Sequence, residues 1–130
     1  MTDIQDVSLS EQLDPSTPEY VNARLMELGQ WFEQAPFELE RARKRTSDAK
    51  EAYDLAKAHA LVNSDAKYKE ARDAQALIAS AVEREAWQVA DAALRFLQDK
   101  VANLGRQKDV LQTRSANLRA EMQLAGRGRP

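Results

Sequence analysis

Between Val21 and Ala60 the chain repeats an apolar or small residue in alternating steps of four and three: Val21, Leu25, Leu28, Phe32, Ala35, Leu39, Ala42, Thr46, Ala49, Tyr53, Ala56 and Ala60. A helix turns about 100° per residue, so these positions form one stripe along one face, the seam of a coiled coil. In a strand, residues seven apart point to opposite faces, so no strand satisfies the pattern. One half of the stripe is small (Ala35, Ala42, Ala49, Ala56), which lets a partner helix approach closely. The other half is mostly large (Leu25, Phe32, Leu39, Tyr53) and fills between layers.

Local signals place the ends of this helix. Thr17-Pro18-Glu19 is a start: Thr17 as N-cap, Pro18 at the first helical position, Glu19 favoured by the helix dipole. Pro36 has no amide proton to donate and disfavours helix at the residue before it, so a kink or break is expected near Ala35. Val62-Asn63-Ser64-Asp65 reads as a turn, with Asn63 or Ser64 capping the next helix. The expected helices are therefore about 18–34, 36–61 and 65–124. Residues 1–17 read as a disordered acidic tail and 125–130 as a flexible basic one.

The second long helix carries its own seam: Trp87, Ala90, Leu94, Leu97, Val101, Leu104, Leu111, Leu118 and Met122, interrupted by Lys108 and Ser115. A flank of Val82, Ala86, Val89, Ala93 and Phe96 widens the stripe beyond what one partner helix covers. Gly105 weakens this helix by roughly 1 kcal/mol and marks a bend or close packing. A four-residue turn makes the two arms antiparallel neighbours. The fold class expected is all-α, a long antiparallel coiled-coil-like hairpin with a Pro-kinked first helix. With pairing about residue 63, about sixteen C-terminal residues lack an internal partner. Self-association through Trp87, Leu94, Leu97, Val101, Leu104, Leu111, Leu118 and Met122 is expected, because exposed apolar stripes of this size mark interfaces. The competing expectation is a monomeric three-helix unit, folded back at Pro36.

Composition narrows the chemistry. The chain has no Cys and one His, His59, so thiolate and His-rich metal sites and Cys–His catalysis are excluded. Absence of Cys also fits a reducing cytosol. No Gly-rich phosphate loop or nucleophile–base pair appears. No apolar run approaches 18 residues and no signal peptide is expected. The expectation is a cytoplasmic, non-enzymatic protein with no metal, cofactor, membrane or small-molecule substrate.

Charge is unevenly spread. Residues 1–40 hold nine acids and one base, whereas 41–130 hold twelve acids and eighteen bases. Three basic groups stand out: Arg41, Lys44 and Arg45 in one run with Arg43; Lys67, Lys69 and Arg72 after the turn, with Tyr68 among them as a base-stacking candidate; and Arg106, Lys108, Arg114 and Arg119 on the last helix. Repeated basic patches on an oligomer suit single-stranded nucleic acid held without sequence reading, since phosphate charge is common to every base. Solvated, salt-laced helix faces account for the same residues with no nucleic acid at all.

The stretch Ala42–Ala60 with its AKEAYDLAKAHA pattern, the basic turn at Lys67-Tyr68-Lys69, and Leu111-Gln112-Thr113-Arg114 followed by Leu118-Arg119-Ala120-Glu121-Met122 resemble phage recombination mediators of the UvsY type over roughly residues 20–124. These are loose helical patterns, and the acidic N-terminal tail is longer than that family needs. The resemblance implies a homo-oligomer in the host cytoplasm that binds single-stranded DNA. It further implies help in loading a recombinase against a single-strand-binding protein, and Lys67, Lys69, Arg72, Arg114 and Arg119 as DNA contacts. The alternative is a structural or assembly protein, a phage scaffold or coiled-coil adaptor, in which the seams matter and the cations are incidental.

Overall fold

A computed structural model describes residues 8–127. They form a short 3-10 turn, Leu9–Gln12, and three helices: α1, Pro18–Val62; α2, Lys69–Ala79; and α3, Ala81–Arg127. No strand occurs among the described residues, so the all-α expectation holds. The chain divides into two compact units. Within the described residues, the first joins 8–35 to 100–127, and the second comprises 36–99.

The start of α1 is as expected. Thr17 Oγ1 accepts the Tyr20 amide at 3.3 Å, satisfying one of the free N–H groups of the first turn. Asp14 builds the turn before it, its carboxylate accepting the Ser16 amide at 3.0 Å and its carbonyl the Thr17 amide at 3.0 Å. The expected break at Pro36 is absent: α1 runs unbroken through it. A helix-interior proline costs roughly 3 kcal/mol. The same seam continues on both sides of Pro36, and its packing outweighs that local cost. Each of the twelve seam positions from Val21 to Ala60 is buried or half-buried.

In the first unit, α1 and α3 run antiparallel. Val21, Leu28 and Leu111 form the buried core, with Tyr20, Leu25, Phe32, Leu104 and Leu118 packed against it. Gly105 faces Phe32, whose ring tip lies 4.0 Å from where a Gly105 Cβ would stand, an ordinary contact distance, so the expected close packing does not require the glycine. The first residues join this unit rather than forming a tail. Ser10 is buried, donating its amide to Glu27 Oε1 at 2.9 Å and its hydroxyl to Glu27 Oε2 at 2.6 Å. Arg24 donates to Glu27 at 3.3 Å and to Gln107 at 3.2 Å, tying that carboxylate to α3. The expected disordered tail is thus corrected for residues 8–17; residues 1–7 lie outside the described residues, as do 128–130 of the expected basic tail.

In the second unit, Tyr53 stacks on Trp87 with ring centroids 5.7 Å apart, and Thr46 Oγ1 donates to the Ala90 carbonyl at 3.1 Å. The expected single helix over 65–124 is two helices. Neither Asn63 nor Ser64 caps the next helix. Asn63 extends the end of α1 by donating its amide to His59, and Ser64 donates its hydroxyl to Gln75 at 2.6 Å. Helix α2 begins only at Lys69 and ends at Ala79; its C-cap, Ser80, is fully buried and donates its hydroxyl to the Ala76 carbonyl at 2.7 Å. A serine bonding back to the carbonyl four residues earlier offers that carbonyl a competitor to the helix ladder, and bends helices.

This insertion changes the register. Residues 63–80 are spent on the linker and α2, so α3, of 47 residues, matches α1, of 45. The C-terminal overhang expected from pairing about residue 63 is shortened rather than removed, residues 119–127 being exposed throughout. Leu111 is buried and Leu118 half-buried within the chain's own first unit. Trp87, Leu94, Leu97, Val101 and Leu104 are likewise half-buried in the chain itself. Of the expected oligomer seam only Met122 is exposed.

Candidate interaction surfaces

The basic residues read from the sequence divide by what surrounds them. In the second unit, Arg41 pairs with Glu38 one helical turn away, and Lys44 with Asp48 at 3.4 Å. Arg45 is exposed and makes no ion pair among the described residues. These pairs sit on open helix surface, where solvent screens them and each contributes little. Lys67, Tyr68, Lys69 and Arg72 are all exposed and none makes an ion pair among the described residues, but Asp65, Glu70 and Asp73 lie in the same nine-residue stretch. Three acids against three bases leave no net charge there.

In the first unit, Lys108 is not a free cation. Its Nζ lies 5.3 Å from the Phe32 ring centroid, and the residue is half-buried. Arg106 donates to the Asn103 side-chain oxygen. Arg114 is half-buried, and its charge helps lower the Asp14 carboxyl, which the Ser16 hydrogen bonds hold below the usual range. Arg119 is exposed and lines an open groove of about 400 Å³ with Pro18, Val21, Asn22, Ser115, Leu118 and Met122.

The fold also cancels the charge asymmetry. Antiparallel packing sets the acidic start of the chain along its basic end. Within the described residues the first unit carries seven acids and seven bases; the second carries twelve acids and eleven bases. A basic body separate from an acidic tail is therefore not what folding produces.

The sequence reading missed two lysines held by aromatic rings. Lys50 Nζ lies 4.5 Å from the Trp87 centroid and 5.2 Å from that of Tyr53, and Lys100 Nζ lies 5.5 Å from that of Trp31. Lys50 also pairs with Asp54 at 2.9 Å. Helix periodicity alone does not reveal such contacts, because they depend on which α3 residue faces which α1 residue.

The flank of α3 in the second unit is one of several apolar surfaces left exposed among the described residues, with Met26, Phe37, Leu55, Val110, Met122 and Leu124 exposed elsewhere on α1 and α3. Val82, Val89 and Phe96 are 78%, 64% and 71% exposed, and Ala86 and Ala93 between them are exposed as well. Residues seven apart differ by about 20° round a helix and residues four apart by about 40°, so these five form two adjacent columns. The α1-facing row of Trp87, Leu94 and Leu97 lies on a different side of α3. Among the described residues no cluster of His, Cys, Asp and Glu is disposed to hold a metal ion, and no helix is long and apolar enough to cross a membrane.

Compared with known proteins, the chain matches no family model, no curated protein and no solved structure.

Proposed function

We propose that this chain is a non-enzymatic helical assembly protein of the cytoplasm, a scaffold or adaptor that joins polypeptides through the outer flank of α3. The observation that carries this reading is the heptad-spaced apolar row Val82, Val89 and Phe96, left in water by a fold that has already buried its other seam. Apolar side chains repeated every seven residues on one helix face are what a second helix packs against. Charge balance within each unit supports it, and three of the cations that suggested a polyanion, Arg41, Lys44 and Lys108, face acids or an aromatic ring of the same chain.

Replacing Val82, Val89 and Phe96 together by Lys tests the reading. If the row is a docking face, the variant keeps its helicity and, at dilutions where the chain is unassociated, its thermal midpoint. A drop of the midpoint like that of a core substitution makes the row part of the fold and ends the proposal.

A second reading keeps a specific observation: Tyr68 is exposed beside Lys67, Lys69 and Arg72, none of them ion-paired. Under it the protein is a single-stranded DNA accessory of the recombination-mediator kind, working beside a recombinase and a single-strand-binding protein. Binding to a single-stranded oligonucleotide then falls steeply with salt and is lost when those three cations become Gln. Salt-independent binding, or none at low salt, removes this reading.

A further inference from the structure

We propose that α2 is a hinged arm: it swings about Ser80 between the folded-back position seen here and a position in line with α3, where residues 69–127 form one continuous helix. Nothing in the covalent chain breaks a helix at this point, since no Gly or Pro occurs from Lys69 to Leu104. The inward-facing row also crosses the break without a change of step. Ala76, Ser80, Glu83, Trp87, Ala90 and Leu94 follow one another by four and three, and each is buried or half-buried.

The break is confined to three rungs of the helix ladder. The Ser80 amide donates to the Ala76 carbonyl at 3.0 Å, and the Ser80 carbonyl accepts the Arg84 amide at 3.0 Å. Both are bonds that a continuous helix makes. Missing among the described residues are those from the amides of Ala81, Val82 and Glu83 to the carbonyls of Leu77, Ile78 and Ala79. Ser80 stands at φ −103° and ψ 14°, and regular helix lies about 40° and 55° away. Movement at this one residue restores the three bonds.

Little holds the arm back. Of residues 69–80 only Ala76 and Ser80 are buried, and one side-chain bond, Ser64 to Gln75 at 2.6 Å, ties α2 to the linker before it. Two features oppose the folded-back position. The Oε2 atom of Glu83 is buried with no hydrogen-bond partner among the described residues, which penalises the packing that covers it. Ile78 and Val82, four residues apart, are 77% and 78% exposed; in a continuous helix they stack on each other. One buried alanine, one buried serine and one bond stand against three backbone bonds and an apolar pair, so both positions are accessible to the folded chain.

The test is a distance across the hinge. Arg72→Cys and Ala92→Cys, both exposed and the only cysteines in the chain, carry nitroxide labels for pulsed electron paramagnetic resonance. Twenty residues of continuous helix separate their Cα atoms by about 30 Å; the folded-back arm gives a shorter distance. Both distances should be present. Ser80→Ala should raise the ratio of long to short roughly twofold, because alanine is the better residue inside a helix and the poorer one at its start. Ser80→Gly should suppress the long distance, because glycine disfavours a helix interior and is tolerated at a cap. Ser64→Ala, which removes the Gln75 bond without touching the hinge, should raise the long distance as well. A single distance, short or long, in the parent and all three variants overturns the proposal. So do two distances whose ratio ignores both substitutions at Ser80.

Discussion

The carboxylate of Glu27 accepts both the amide and the hydroxyl of Ser10, at 2.9 and 2.6 Å. This one side chain holds the 3-10 turn Leu9–Gln12 on α1. Burial pushes the Glu27 carboxyl up, but the two Ser10 bonds and Arg24 together outweigh it, and the group sits below its ordinary value. A lowered carboxyl stabilises the fold above its unfolded pKa. That contribution is lost as pH falls through the usual glutamate range, about 4.3, and is gone below the lowered folded value. The protection factor of the Ser10 amide, its exchange relative to an unstructured peptide at the same pH, should therefore fall on acidification, and Glu27→Gln should reproduce the effect at neutral pH. The loss from Glu27→Gln should be roughly 1–3 kcal/mol, as for hydrogen bonds to a charged group. A protection factor that is insensitive to pH and to the substitution would show that the turn is held by something else.

Leu111 and Leu124 lie on the same helix but in opposite environments, one buried and one exposed. Leu111→Ala should cost about 2–5 kcal/mol, through lost burial and the cavity left against Val21 and Leu28. Leu124→Ala should change stability by less than about 0.5 kcal/mol. Urea unfolding followed by circular dichroism compares them. Equal effects would contradict this register of α1 and α3.

Gly105→Ala should stabilise the protein by about 1 kcal/mol, the helix-propensity difference between the two residues. The added Cβ meets the Phe32 ring at 4.0 Å, an ordinary contact, and the backbone there is helical. A lowered thermal midpoint would mean that α3 needs a glycine at this position.

Lys50 lies over the stacked rings of Tyr53 and Trp87. Lys50→Gln should lower stability by about 0.5–1 kcal/mol, the scale of an exposed cation–π contact. Trp87→Leu should reduce the cost of that change toward zero, and a double-mutant cycle measures the coupling. Additive effects would assign the lysine to its ion pair with Asp54 alone.

Much of the molecule was legible along the chain. The twelve-position stripe of α1, the Thr17 cap, the second stripe of α3 and the exposed flank at Val82, Val89 and Phe96 all follow from helix pitch and residue type. The Ser80 bend was not legible, because a lone serine inside an apolar-periodic stretch is compatible with a straight helix until its hydroxyl finds the Ala76 carbonyl. The Lys50 and Lys108 contacts stayed hidden because each needs a specific neighbour across the hairpin.

Sequence alone determined which face of each helix turns inward, since the angular position of a residue depends only on the pitch of its own helix. It could not determine which α3 residue faces which α1 residue. A seven-residue repeat matches itself after every slip of seven, so periodicity leaves the register open. Tertiary structure chose it by side-chain fit: Phe32 over Gly105, Tyr53 on Trp87, and Thr46 bonded to Ala90. That choice sheltered Leu111 and Leu118, set Asp14 near Arg114, and left Val82, Val89 and Phe96 of α3 exposed.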